Sequence, residues 1–253
     1  MPPVLISLTA YGAAEVGRHG QPWFARLATE AGADAVEVRG ELLRDEGLHD
    51  ELALLAPFTA VYSEPLLLWT EEGELDTGAL ERGITRAKHL GAPRLKMSIG
   101  GWRKAPSDAL SELKSILGGQ GGIELLIEND QTEGGGTLDT LKAFFTAADA
   151  AGLPLGMTFD MGNWHYTGEC PLRAAETLVS RVRYVHCKGV QRLPAKWVAV
   201  PMSQSQAPWR AVLRALPAAV PHAIEYPLMG DDLLAVTREE IAHLRRLRAA
   251  ITP

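Results

Sequence analysis

Cysteine is almost missing from this chain: Cys170 and Cys187 are the only two in 253 residues, which excludes a disulfide framework. Long apolar runs are missing as well. Stretches such as Pro65 to Trp69 fall far short of the roughly 20 residues a membrane span requires, so no membrane partner is expected. An excess of basic residues is also absent: 25 Lys and Arg stand against 31 Asp and Glu, and the formal charge of -6 repels a polyanion, which argues against nucleic acid as a partner. The opening MPPVLISLTA has neither the basic nor the apolar region of a signal peptide, so a cytoplasmic location is expected. With 46% hydrophobic and 22% charged residues, what is present describes a globular protein, and a small molecule is the fitting partner.

Strand-like runs alternate with helical patterns along the whole chain. Strands are expected near Val4–Thr9, Ala35–Arg39, Phe58–Ser63, Arg94–Ser98, Glu124–Glu128, Pro154–Asp160, Arg183–His186 and Ala223–Tyr226. Helices are expected to start around Pro22, Asp76, Ser107, Thr137, Pro171 and Pro208, each a residue type suited to a helix N-terminus. Eight strands, with a βα unit about every 30 residues, match a (β/α)8 TIM barrel of class α/β. A doubly wound sheet would alternate in the same way, but the length favours the barrel, read as a single domain over residues 1–253. Gly118–Gly122 precedes a strand rather than following one, so it reads as a loop and not as a phosphate cradle. Gly134–Gly136, just past Glu128, reads as a turn in preference to a mobile flap.

Side chains alternate along a strand, and steps of two from the strand ends pick out a polar face. It carries Glu37 with Arg39, Lys96 with Ser98, Leu126 with Glu128, Thr158 with Asp160, Tyr184 and Lys188 with His186, and Ala223 with Glu225. The opposite face carries Val36, Val38, Leu95, Met97, Leu125, Ile127, Met157, Phe159, Val185 and Ile224, which helices would cover. The polar face is therefore expected inside the barrel, with its chemistry at the carboxyl ends of the strands. Glu128, Asp160, His186 and Glu225 each close a different strand. Singly, each is more often a helix cap or an ion-pair member. Together they form the ligand set of a divalent metal, because clustered buried carboxylates need a cation to offset their repulsion.

The strand ends IEND, FDMGN, VHCK and IEYP resemble those of the xylose isomerase-like TIM barrels, a superfamily of sugar isomerases and epimerases with related dehydratases and endonuclease IV. That resemblance implies Glu128, Asp160, His186 and Glu225 as metal ligands, with Glu128 and Glu225 doubling as the acid/base pair. It also implies that Arg192, six residues after the histidine, contacts substrate. The chain departs from the pattern twice. Asn163 stands where a histidine is common, with His165 nearby as a substitute, and the run His186, Cys187, Lys188, Gly189 lacks the acid usually found after the lysine. Endonuclease IV fits poorly, since its histidine-rich zinc cluster would need more than seven scattered His.

The expected activity is metal-dependent isomerisation or epimerisation of a sugar or related hydroxy-carbonyl compound, by proton abstraction through an enediolate. Dehydration of a cyclic keto-polyol shares the first step and stays open. The metal would be Mn, Mg, Co or Zn, and the partner a small sugar or keto-polyol. Lys96, Lys188, Asn163, His165, Arg192 and Trp102 are the candidates for contacting substrate, with Trp69 and Trp102 able either to stack on a sugar or to pack. If Lys96, Lys188 and Arg39 all point inward, they balance the carboxylates without a metal, which leaves a catalytically silent sugar-binding barrel as the reading from another class. Lys96 would then also be placed for a Schiff base, although a salt-bridged role is favoured. Asp231 and Asp232 after the last strand disfavour a phosphorylated substrate, and the segment 191–207 is expected to fold over the mouth. Apolar helix faces are compatible with a homo-oligomer.

Overall fold

The computed structural model of the chain describes residues 2–103 and 107–251. Its strands are β1 (Val4–Ser7), β2 (Ala35–Arg39), β3 (Thr59–Ser63), β4 (Arg94–Ser98), β5 (Glu124–Glu128), β6 (Gly156–Asp160), β7 (Val182–Cys187), β8 (Gly189–Arg192), β9 (Trp197–Val200) and β10 (His222–Ile224). Eight of them close a parallel barrel in the order β1-β10-β7-β6-β5-β4-β3-β2, whereas β8 and β9 form a separate antiparallel hairpin. Helices α1 (Ala13–His19), α2 (Gln21–Glu30), α3 (Leu48–Leu55), α4 (Thr77–His89), α5 (Ser107–Gly118), α6 (Leu138–Ala150), α7 (Pro171–Leu178), α8 (Trp209–Ala215) and α9 (Leu233–Ile251) lie between and after the strands. The result is a single-domain (β/α)8 TIM barrel. No described helix is long and apolar enough to cross a membrane.

All eight expected strands are present, with small shifts at their ends. The first stops at Ser7, because Leu8–Tyr11 turns into a 3-10 helix, and Glu225 lies one residue past β10. All six expected helices are present too. Asp76 caps α4 by accepting from the Ala79 backbone N–H at 2.8 Å, and Pro171 opens α7 where its missing N–H costs nothing. The structure adds α1 and α3, which open on Gly12 and Gly47, and α9, which Asp232 caps by accepting from the Ala235 backbone N–H at 2.9 Å.

Alternation sorts the side chains as expected. The apolar set read from the sequence, Val36 to Ile224, lies buried in the main core between strands and helices. Each fully buried Val, Leu or Ile contributes about 1.5–3 kcal/mol. Inside the barrel a smaller cluster of Leu5, Val61, Leu126, Tyr184 and Ala223 forms an apolar floor. Two residues further along the same strands, at their carboxyl ends, the interior becomes polar with Ser7, Ser63, Glu128, His186 and Glu225. This switch from apolar floor to charged rim positions the site.

Candidate metal centre

The four strand-end residues converge. One ligand atom from each of Glu128, Asp160, His186 and Glu225 lies within 4.8 Å of the others. His186 Nδ1 faces Glu128 Oε1 at 2.8 Å, Glu225 Oε2 at 3.0 Å and Asp160 Oδ2 at 3.7 Å. The ring is completely buried and meets Tyr184 edge-on, with centroids 5.0 Å apart.

A second carboxylate shell fixes this arrangement. His186 Nε2 lies 2.7 Å from Glu37 Oε2, and since ionised carboxylates only accept, Nε2 donates to Glu37 and Nδ1 donates to Glu225 and Glu128. Burial disfavours the charged ring, but Glu225, Glu37 and Glu128 hold its pKa well above the ordinary value. A metal ion at Nδ1 would replace that nitrogen's proton, while the Nε2–H···Glu37 bond would keep the ring oriented for it. Glu37 in turn accepts from Arg39 Nη1 at 2.9 Å and from Ser7 Oγ at 3.3 Å. Glu37→Gln is expected to lower metal affinity about 10–100-fold, because an amide holds the histidine less firmly; a calorimetric Mn2+ titration checks this.

Asp160 combines the helix-cap reading with the ligand reading. Its Oδ1 accepts from the Gly162 and Asn163 backbone N–H groups at 2.7 and 2.9 Å, whereas the buried Oδ2 accepts no hydrogen bond among the described residues. Lys188 Nζ stands 2.7 Å from that Oδ2 as an ion pair. Asn129 locks β6 beside β5 by exchanging side-chain hydrogen bonds with the Asp160 backbone at 2.8 and 3.0 Å.

Besides the protonated His186, three cations compensate the carboxylates. Lys96 Nζ lies 2.5 Å from Glu128 Oε2 and 3.7 Å from Glu37 Oε1, Arg39 Nη1 lies 2.8 Å from Glu225 Oε1, and Lys188 Nζ lies 2.7 Å from Glu225 Oε2. Burial alone would raise the carboxyl pKa values, but His186, Lys188 and Arg39 hold Glu225 well below the usual range, and Lys96 with His186 lowers Glu128. Burial keeps Asp160 raised despite Lys188. Burial would also lower Lys96, but Glu128 and Glu37 raise it, which suits a salt-bridged lysine and not a Schiff-base amine.

Of the residues expected to contact substrate, Lys96 and Lys188 stand inside the site. Asn163 lies beside them, its Oδ1 accepting from Lys188 Nζ at 3.2 Å and from Gln131 Nε2 at 3.1 Å. His165 and Arg192 gather at the hairpin, where the Trp197 ring stacks obliquely on His165 at 5.0 Å and the Arg192 guanidinium lies 5.4 Å over Trp197. Trp102 is buried and takes the packing alternative. Its indole packs edge-on against Phe144 of α6, as does that of Trp69, because both loops fold back onto the core. Gly134–Gly136 forms a tight turn in which the Gly136 N–H donates to the Thr132 carbonyl at 2.8 Å. Gly189 has a structural cause: a Cβ there would stand 2.6 Å from the Val200 carbonyl oxygen and 2.7 Å from that of Pro201, so the hairpin admits no acid at this position. Glu37 and Arg39 are the site residues that the strand-end motifs miss, although strand alternation already turned both inward.

These donors fit a divalent ion. Three carboxylate oxygens and one imidazole nitrogen, on a histidine whose far nitrogen is tied down, form an oxygen-rich set suited to Mn, Mg, Co or Zn. Beside Glu128 a polar cavity of about 270 Å³ is lined by Arg39, Ser63, Lys96, Ser98 and Asp130 among others.

No curated protein sequence matches the chain. Among solved structures, a xylose isomerase domain protein from Alicyclobacillus acidocaldarius is similar over 99% of both chains, with 21% identity and a TM-score of 0.66. A D-psicose 3-epimerase solved in the presence of D-fructose is similar over 97% of this chain and 99% of its own, with 14% identity and a TM-score of 0.68. The IolI protein with a binding zinc atom is similar over 98% of this chain and 97% of its own, with 14% identity and a TM-score of 0.65. At these identities the likeness is one of fold. The family model described as xylose isomerase-like TIM barrel matches residues 10–247. By that match, and in agreement with its closed barrel, the chain belongs to the xylose isomerase-like TIM barrel family.

Proposed function

We propose that this chain is a divalent-metal-dependent isomerase or epimerase of a sugar or related hydroxy-carbonyl compound, with Glu128 and Glu225 as its acid/base pair. The observation that carries the reading is the convergence of Glu128, Asp160, His186 and Glu225 at the carboxyl ends of four barrel strands. The named epimerase and the zinc-bearing neighbour support it. A divalent ion, when bound, supplies stabilisation of the negative charge that develops on an enediolate.

The remaining work falls to the chain's own groups. Glu128 comes from β5 and Glu225 from just past β10, with β6 and β7 between them, so the two carboxylates approach a substrate from different sides. One withdraws the proton next to the carbonyl and the other returns it. Return to the same carbon inverts it, and return to its neighbour interconverts aldose and ketose. Lys96 beside Glu128 and Arg39 beside Glu225 favour the ionised state, in which the withdrawing carboxylate must start. The returning one takes up a proton from solvent before passing it on, and the withdrawing one releases its proton to solvent to close the cycle. The polar cavity beside Glu128 offers Ser63 and Ser98 as hydroxyl partners for a polyol. In this reading Lys188, Asn163, His165 and Arg192 meet the substrate from the mouth.

Solvent deuterium is expected to enter one carbon of a sugar or keto-acid drawn from a panel, and to stop entering after chelation. Saturable binding by calorimetry without any exchange would replace this reading with that of a silent sugar-binding barrel. Exchange that survives complete metal removal would refute the metal requirement.

A further inference from the structure

We propose that Lys188 is an internal competitor of the divalent ion, so that metal entry expels its ammonium from the centre and turns it toward the substrate. This inference rests on the metal-centre reading above. Lys188 Nζ lies 2.7 Å from Asp160 Oδ2 and 2.7 Å from Glu225 Oε2, and these same two oxygens face His186 Nδ1. An ion bonded to both oxygens at roughly 2.1 Å would stand within about 4 Å of that ammonium. Two cations at such range in a buried site repel strongly, so the ammonium and the ion cannot both hold this pair of oxygens.

The other two cations are placed differently. Lys96 engages Glu128 and Glu37, and Arg39 engages Glu37, Glu41 and Glu225 Oε1, so each keeps a carboxylate oxygen or partner outside the shared pair. Lys188 alone among these three pairs with Asp160. It also has somewhere to go. Its stem lies against Gly162, where a Cβ would come within 2.9 Å of its Cγ and Cδ, and its ammonium already donates to Asn163 Oδ1 at 3.2 Å. Giving up the two carboxylates while keeping the Asn163 contact leaves donors free at the mouth for a substrate oxygen. Metal and substrate would then bind in that order, with the displaced ammonium as the link between them.

Calorimetric titration of Mn2+ and Zn2+ into the full-length wild type, K188M and K188Q tests this. Removing the competitor is expected to tighten metal binding at least about 10-fold in both variants and to enlarge the rise in Tm that metal produces. Affinity equal to or weaker than wild type in both variants overturns the inference and leaves the metal-centre reading standing. No binding by any of the three proteins overturns both. A readout on the wild type needs no variant: amine-reactive labelling followed by peptide mass spectrometry should modify Lys188 with Mn2+ present and spare it with chelator present, and equal labelling overturns the competition.

Discussion

Glu128→Gln is expected to lower isotope exchange by about 10²–10⁴-fold, the usual contribution of a positioned general base. The substitution is nearly isosteric and keeps an oxygen for the Lys96 ammonium, which stands 2.5 Å from the native carboxylate. It removes the capacity to take a proton, and it weakens one of the four donors around the centre. Those two losses can be separated. If weaker metal binding were the whole effect, saturating metal would restore the rate; if proton transfer is lost, the deficit persists at saturation. Glu225→Gln should behave alike, and the double variant should be little worse than either single one, because two groups that pass one proton act as a unit. Exchange above a tenth of the wild-type rate in E128Q at saturating metal would remove Glu128 from the acid/base pair.

Lys96→Met is expected to cost about 3–5 kcal/mol, the range for stripping one partner from a buried ion pair. For a chain of this size that corresponds to a fall in Tm of roughly 6–20 °C. Lys96 is 2% exposed and faces both Glu128 and Glu37, so its loss leaves two carboxylates less compensated where water cannot replace it. Glu37, Glu128 and Glu225 all have folded pKa values below their ordinary 4.5. Their contribution is fully present above pH 4.5 and is lost as the pH falls from there toward the folded values. Asp160 is raised above 3.8 by burial and works in the opposite sense. Without Lys96, burial regains control of Glu128, and the acid limb of stability should move to higher pH. Thermal melts between pH 3 and 7 in chelator measure both effects, and an unchanged Tm with an unchanged acid limb would refute the role given to Lys96.

The features that could be read from the chain were those governed by local rules. Period-two alternation sorted Val36 from Glu37 and Ile127 from Glu128 correctly, because a strand side chain has only two directions to face. The four ligand candidates were legible because each closes such a strand. What escaped was non-local. That Glu37 orients His186 depends on β2 facing β7 across the barrel, and nothing near either residue encodes the pairing. The site of Trp102 was settled by Phe144, some forty positions away, as its loop folded inward. The β8–β9 hairpin was visible only as a long segment expected over the mouth, since its short strands resemble loop sequence.

The hairpin starts at Gly189, one residue beyond Lys188 and three beyond His186, and it carries Arg192 and Trp197 at its far end. On the proposed reading of Arg192 as a substrate contact, an insertion or exchange within it would retune which molecules are accepted, while the eight-stranded wall and its charged rim stay untouched. Divergence toward new chemistry in this lineage therefore has a separable handle. Its root, Gly189, is a position where even an added methyl group would press on the carbonyl oxygens of Val200 and Pro201.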